Sequence, residues 1–330
     1  MASDNAAIRV LVTGGTGFVG RHVVARLRSD GFTVRVLARD PRRASKNEIF
    51  RDVEFVAGDA GEHIPPSSMD GVSAVVHLVG IIAERGDNTF ERAHPVATAN
   101  AIEAARRSSC KRFIHLTALG TRPHAASAYH RTKWRAEEIV RASGLDWTIL
   151  RPSLIFGPGC GFVGEFASMM RGRRLALQMG VIPCFGDGST LFQPIAAADV
   201  AHCVSRALGG AARGETVSLC GPDTVSFKDL LLAIARGLGR RPTWIQAPPE
   251  LYPLLIPWAM LTKPKPLVVA MPPPIPRAMG WLLGHLKNPP FTLDQAIMLE
   301  ENNIADPGPA ARLFDLKATP LAEMLSESLG

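Results

Sequence analysis

From Ile8 to Gly20 the chain reads Ile-Arg-Val-Leu-Val-Thr-Gly-Gly-Thr-Gly-Phe-Val-Gly, and it continues Arg21-His22-Val23-Val24. The β-branched apolar run predicts a strand over Ile8–Thr13, and the periodicity after the glycines predicts a helix over Gly20–Ser29. Glycines at 14, 17 and 20 permit a tight turn, close approach of backbone to an anion, and close packing of helix on strand. Unpaired N–H groups and the helix dipole at such a helix start favour a pyrophosphate. The strand-turn-helix context therefore marks a dinucleotide-binding loop.

Outward from this loop, short apolar runs alternate with helical segments as far as Leu150. Further strands are predicted at Thr33–Ala38, Val53–Ala57, Ala74–Leu78, Arg112–Thr117 and Trp147–Leu150, with helices such as Asn100–Ser108 between them. The expected fold is α/β: a doubly wound parallel sheet of Rossmann type with a smaller C-terminal α/β subdomain, its ligand crevice at the carboxyl ends of the strands. Residues 1–158 are expected to form the nucleotide-binding domain and 159–330 the smaller lobe, with chain segments interleaving. Ile195–Leu208, Thr216–Leu219 and Phe227–Leu238 are assigned to that lobe. Residues 243–291 are apolar and proline-rich, and the prolines with Lys263, Lys265 and Arg277 interrupt any run long enough to span a bilayer. This segment is open to a membrane surface or a partner.

The 330 residues carry a formal net charge of +7, but the basic residues are scattered and form no polybasic run, which argues against nucleic acid. The excess suits an anionic cofactor or an anionic membrane surface. Five cysteines without a C-x-x-C pair point away from a disulfide framework and towards a reducing compartment. With no leader before Ile8, the expected address is cytoplasmic, with a peripheral place on the inner face of a respiratory membrane as an open alternative. His77, His94, His115 and His130 lack metal-ligand spacing and are read as strand or surface residues, so no metal is expected. No G-x-S-x-G elbow supports a serine hydrolase.

The second strand ends Ala38-Arg39-Asp40. An acidic tip grips the ribose hydroxyls of NAD, whereas an arginine pairs with the 2′-phosphate of NADP. Arg39, with Arg42 and Arg43 behind it, favours NADP(H), and adjacent Asp40 keeps NAD(H) open. Tyr129 and Lys133 stand four apart in a segment read as helix, Ala128–Arg141, and so share one face.

Thr13-Gly14-x-x-Gly17-x-x-Gly20, Gly58-Asp59, Tyr129-x-x-x-Lys133 and Arg151-Pro152-Ser153-x-x-Phe156-Gly157-Pro158 together resemble the extended and atypical short-chain dehydrogenase/reductases. His77–Ile82, Ser143–Thr148, Phe192–Ile195 with Asp199–Ala201, and Asp294-Gln295 with Glu301–Asn303 resemble one subgroup, the NAD(P)H-binding accessory subunit of respiratory complex I and its bacterial relatives. The likeness runs from Ile8 to Pro307. It implies a cofactor site of Gly14, Thr16, Gly17, Phe18 and Val19 at the pyrophosphate, Arg39 at the ribose, and Asp59 and Ala60 beside the adenine. Leu78, Val79 and Gly80 would line the exit of the fourth strand, and Pro152 to Ile155 the nicotinamide end. For Asp59, ordinary Gly-Asp turn chemistry is the competing reading.

In active members of that family the lysine lowers the tyrosine's pKa and holds the nicotinamide ribose while the phenol passes a proton. A serine or threonine orients the substrate. Its place falls here on Thr117 or on Ala118. With Thr117 in the crevice the triad is complete; with Ala118 there, the chain holds cofactor without turning it over. Two functions follow from the resemblance. One is an accessory or assembly component of respiratory NADH:quinone oxidoreductase, or a relative acting in ubiquinone metabolism; the other is an NADPH-dependent reductase, epimerase or dehydratase using Tyr129 and Lys133. A redox sensor is a weaker third.

Overall fold

Apolar strand residues that alternate with helices on both sides of a sheet are buried from both faces, and Val10, Val12, Val76, Ile114, Ile149 and Leu150 are all inaccessible to solvent. They belong to a parallel seven-stranded sheet in a computed structural model that describes residues 8–171, 181–246, 248–251, 254, 267–272, 274–283 and 291–329. The strands are β1 (Arg9–Thr13), β2 (Thr33–Ala38), β3 (Glu54–Ala57), β4 (Val72–His77), β5 (Arg112–Leu116), β6 (Asp146–Pro152) and β7 (Thr216–Leu219). Their spatial order is β7-β6-β5-β4-β1-β2-β3. The chain leaves β1 in one direction through β2 and β3, then returns to β4 on its other side, so the switch point lies between β1 and β4, where α/β folds place ligands.

Helices α1 (Phe18–Ser29), α2 (Ala97–Arg106), α3 (Ala128–Arg141), α4 (Ala197–Leu208) and α5 (Gly308–Phe314) accompany this sheet. Helix α1 starts two residues before the expected position because Gly20 sits inside its first turn. Helix α2 starts early as well, continuing a π-helical turn, Arg92–Val96, that contains Pro95.

Two units divide the chain. The first comprises the described residues up to Ser153 together with Ala197–Cys220 and Ala305–Ala318; the second comprises Leu154–Ala196, Gly221–Ile304 and the chain from Thr319. This corrects the assignment of Ile195–Leu208 and Thr216–Leu219 to the smaller lobe, since only Ile195 and Ala196 of these belong to it. Thr216–Leu219 pairs in register with Ile149–Pro152 and becomes the edge of the main sheet. Arg112, buried at the start of β5, donates to the carbonyls of Ala207 (2.7 Å) and Ala211 (3.2 Å) and to Thr148 Oγ1 (2.6 Å). It thereby ties the start of β5 to carbonyls at and just past the end of α4, where Ala207 also accepts from the Gly210 N–H at 2.9 Å.

The second unit carries small sheets: Ile155–Phe156 with Ile195–Ala196, Leu191–Phe192 with Val225–Ser226, and Val181–Phe185 beside Leu267–Met271 and Thr243–Ile245. Phe227, wholly buried, packs against the rings of Phe192, Phe166 and Phe185 at 5.6, 6.1 and 6.2 Å. Among the described residues no helix is long and apolar enough to cross a membrane. Much of 252–266 and 284–290, within the proline-rich segment, lies outside the described residues.

Candidate nucleotide site

The glycine loop joins β1 to α1 at the switch point. Gly14 has φ +75°, and a Cβ there would lie 2.8 Å from the carbonyl carbon of Leu78 and 2.9 Å from the Val79 nitrogen. The backbone of the loop thus presses directly on Leu78-Val79 at the end of β4, where the Leu78 N–H donates to the Thr13 carbonyl at 3.0 Å. A Cβ on Gly20 would collide with the Gly14 carbonyl oxygen. Gly15 has its own constraint, with Val36 side-chain carbons 3.0 and 3.1 Å from its Cβ position.

Gly17 caps α1 with extended backbone and no side-chain hydrogen bond, and the first turn holds no acidic residue. N–H groups at this helix end keep their capacity for an anion, and the dipole favours one. Thr16 and Gly17 are exposed, with Phe18 and Val19 half-buried behind them. The residues present therefore fit the diphosphate of a dinucleotide.

Arg39 is exposed just past β2, its guanidinium donating to Asn88 Oδ1 at 3.3 Å. Asp40 is otherwise employed: it caps the short helix Pro41–Ala44, accepting from the Arg43 N–H at 3.0 Å. Asp59 performs turn chemistry, accepting from the Gly61 N–H at 2.8 Å, and its other oxygen pairs with Arg92 at 2.9 Å. Ala60 next to it is buried.

Helix α3 begins with Ser127 as its cap, accepting from the His130 N–H at 3.2 Å. Tyr129 lies half-buried against the rings of His130, His94 and Phe90, with centroids at 5.2, 5.3 and 5.9 Å. Burial pushes its phenol up to about 12. Lys133 is buried under Gly80: a Cβ on that exposed glycine would lie 2.7 Å from Nζ. Burial pushes the ammonium down to about 8, against the opposing pull of Glu137. His94 clamps this corner, its ring nitrogens within 2.8 Å of Thr132 Oγ1 and 3.2 Å of the Ile81 carbonyl. All four histidines are buried, so the surface reading fails for His94 and His130. Among the described residues no group of side chains is arranged to hold a metal.

At the end of β5 the Thr117 hydroxyl donates to Glu137 Oε1 at 2.7 Å, and Glu137 has no exposed surface. Glu137 also receives Arg151 at 2.8 and 2.5 Å and Arg141 at 2.7 Å. The hydroxyl that would orient a substrate is thus committed to a buried carboxylate, and the next residue is Ala118. Pro152 ends β6, its carbonyl accepting from the Leu119 N–H at 2.8 Å. Ile155 belongs to the second unit, in its short parallel pair with Ile195.

Residues 14–157 match the NAD(P)H-binding family model. The chain is 32% identical over 259 residues to the ceramide reductase of Caulobacter vibrioides, covering 75% of this chain and 76% of that protein. It belongs to the extended short-chain dehydrogenase/reductase superfamily. Over 260 residues it is 29% identical to the mitochondrial NADH dehydrogenase [ubiquinone] 1 alpha subcomplex subunit 9 of Arabidopsis thaliana, covering 74% of this chain and 62% of that subunit, which is under two thirds of its length. In fold it is similar to MoeE5 in complex with UDP-glucuronic acid and NAD, with a TM-score of 0.68, 97% of each chain covered and 19% identity. The first unit of this dehydrogenase/reductase chain is an NAD(P)H-binding domain, homologous to complex I subunits and to reductases.

Sequence reading gave no role to Gly15, Asn88, Arg92 and Glu137, and it read His94 as a strand or surface residue. Glu137 had a signal: Lys133, Ala136, Glu137 and Val140 form one stripe at spacings of three and four, so a lysine and a glutamate lie on the face that α3 buries.

Proposed function

We propose that this chain holds NADP(H) as an accessory or assembly component of respiratory NADH:quinone oxidoreductase, or of a relative acting in ubiquinone metabolism. The observation that carries this reading is the Thr117 hydroxyl, bound to buried Glu137 and followed by Ala118. A site with tyrosine and lysine whose Thr117 hydroxyl is already bound to a buried carboxylate retains a dinucleotide better than it reduces a carbonyl. The likeness to a complex I subunit supports the same reading.

In this reading Gly14, Thr16, Gly17, Phe18 and Val19 hold the diphosphate by backbone and helix dipole. Arg39 takes the 2′-phosphate, which favours NADP(H) because Asp40 is occupied as a helix cap. Asp59 and Ala60 lie beside the adenine, Lys133 binds the nicotinamide ribose under Gly80, and Leu78, Val79 and Pro152 flank the nicotinamide end. The bound cofactor would supply hydride, and Tyr129 the proton, to any substrate. The address is cytoplasmic, peripheral at the inner face of the respiratory membrane.

A second reading, an active NADPH-dependent reductase, is favoured by the retained Tyr129 and Lys133 pair and by the likeness to ceramide reductase. One experiment separates the two. The purified protein is stripped, its nucleotide identified, and the reloaded protein offered a carbonyl panel that includes long-chain ketones. Retained NADPH that no member oxidises supports the accessory reading. Turnover that disappears in Tyr129→Phe establishes the reductase.

A further inference from the structure

Arg39, just past β2, is met by a turn that starts from a different strand. The chain leaves β4 at His77 and reaches Asn88, whose Oδ1 accepts from Arg39 Nη1 at 3.3 Å. In the sheet order β4-β1-β2 this path crosses the carboxyl end of β1, where the glycine loop begins, a span of two strand spacings or about 10 Å. Asn88 is fixed by backbone: the Arg85 N–H donates to its carbonyl at 3.1 Å, and its own N–H donates to the Arg85 carbonyl at 3.0 Å. Gly86, at φ +53°, opens the two-residue turn between them, a place that favours glycine. The base of the arm is closed where the Phe90 N–H donates to Glu84 Oε1 at 2.7 Å, and Phe90 packs on Tyr129. On the far side Arg92 Nη1 lies 3.5 Å from the Asp87 carbonyl while Nη2 pairs with Asp59, past the end of β3, at 2.9 Å.

A surface arginine has several rotatable bonds, and ordering it against a phosphate costs conformational entropy. A neighbour that holds the guanidinium beforehand removes part of that cost. An amide oxygen suits this task, because it engages one of five N–H donors and carries no charge, so the guanidinium keeps its attraction for an anion. A carboxylate in the same place would hold the arginine and cancel that attraction. The adjacent carboxylate, Asp40, is turned to the Arg43 N–H instead.

We infer that Asn88 is a positioning residue that presents Arg39 to the 2′-phosphate and thereby sets the preference for NADP(H) over NAD(H). The inference rests on the reading in which Arg39 takes that phosphate. It is tested by fluorescence titration of the purified full chain with NADPH and with NADH. Asn88→Ala removes one exposed hydrogen bond and leaves both backbone bonds of the turn, so NADPH affinity is expected to fall about three- to tenfold with NADH affinity unchanged. Asn88→Asp keeps an acceptor for Arg39 but sets a negative charge beside the phosphate, so NADPH affinity should fall further, again without change for NADH. Added to Arg39→Ala, Asn88→Ala should change nothing more, because the two residues act as one unit. Unchanged NADPH affinity in Asn88→Ala, equal loss for both nucleotides, or a further loss in the double variant would overturn the inference and leave the role of Arg39 standing. A wild type without preference for NADPH, or an Arg39→Ala variant that binds it undiminished, would overturn the reading of the site and the inference with it.

Discussion

Thr117 and Glu137 are joined by a 2.7 Å hydrogen bond in the interior of the first unit, and this bond ties the end of β5 to the middle of α3. The same carboxylate pairs with Arg141 and Arg151 and opposes the loss of charge on Lys133. Thr117, one of the two positions expected for a substrate-orienting residue, is therefore part of a structural ion-pair network.

Thr117→Val removes a hydrogen bond to a charged group and is expected to cost about 2 kcal/mol in urea unfolding, with nucleotide retention unchanged. Glu137→Gln should cost more, roughly 2 to 4 kcal/mol, because Arg151 and the Thr117 hydroxyl lose a buried carboxylate, while Arg141 keeps its pair with Glu138. A Thr117→Val protein with full stability and altered turnover would assign the hydroxyl to the reaction.

Gly14→Ala places a methyl group against the Leu78 and Val79 backbone at a positive φ. Strain of about 1 to 3 kcal/mol is expected, together with loss of retained nucleotide after gel filtration. Unchanged retention would remove the glycine loop from the site.

Lys133 is protonated below about 8 and neutral above it. If it binds the nicotinamide ribose, NADP(H) affinity measured by titration calorimetry should fall as pH rises through 8, and Lys133→Met should be weaker and free of this dependence. The effect on folding has the opposite sign. Between about 8 and the ordinary value of 10.5 the unfolded chain binds the extra proton, so this lysine adds stability as pH rises across that window.

Arg39→Ala deletes one charge-assisted contact to a 2′-phosphate, so NADPH affinity should drop about ten- to a hundredfold while NADH affinity stays level. Equal loss for both cofactors would show that Arg39 does not read the phosphate.

Local patterns made much of this legible. The strand, glycine loop and helix of Ile8–Ser29 could be read because each depends on near neighbours: β-branched residues, turn glycines and a 3.6-residue period. The Tyr129 and Lys133 spacing was equally plain. The return of Thr216–Leu219 to the main sheet was not, since a four-residue apolar run carries no information about which strand it pairs with.

The sequence by itself determined the parallel α/β domain, the tight glycine loop at its start and the shared helix face of Tyr129 and Lys133, because these rest on periodicity and on backbone conformations that few residues can adopt. Only the tertiary structure decided that Asp40 caps a helix, that Lys133 is buried under Gly80, and that Thr117 serves Glu137. Each of those depends on which groups, distant or adjacent, compete for one donor or one acceptor, and burial settles that competition after the chain has folded.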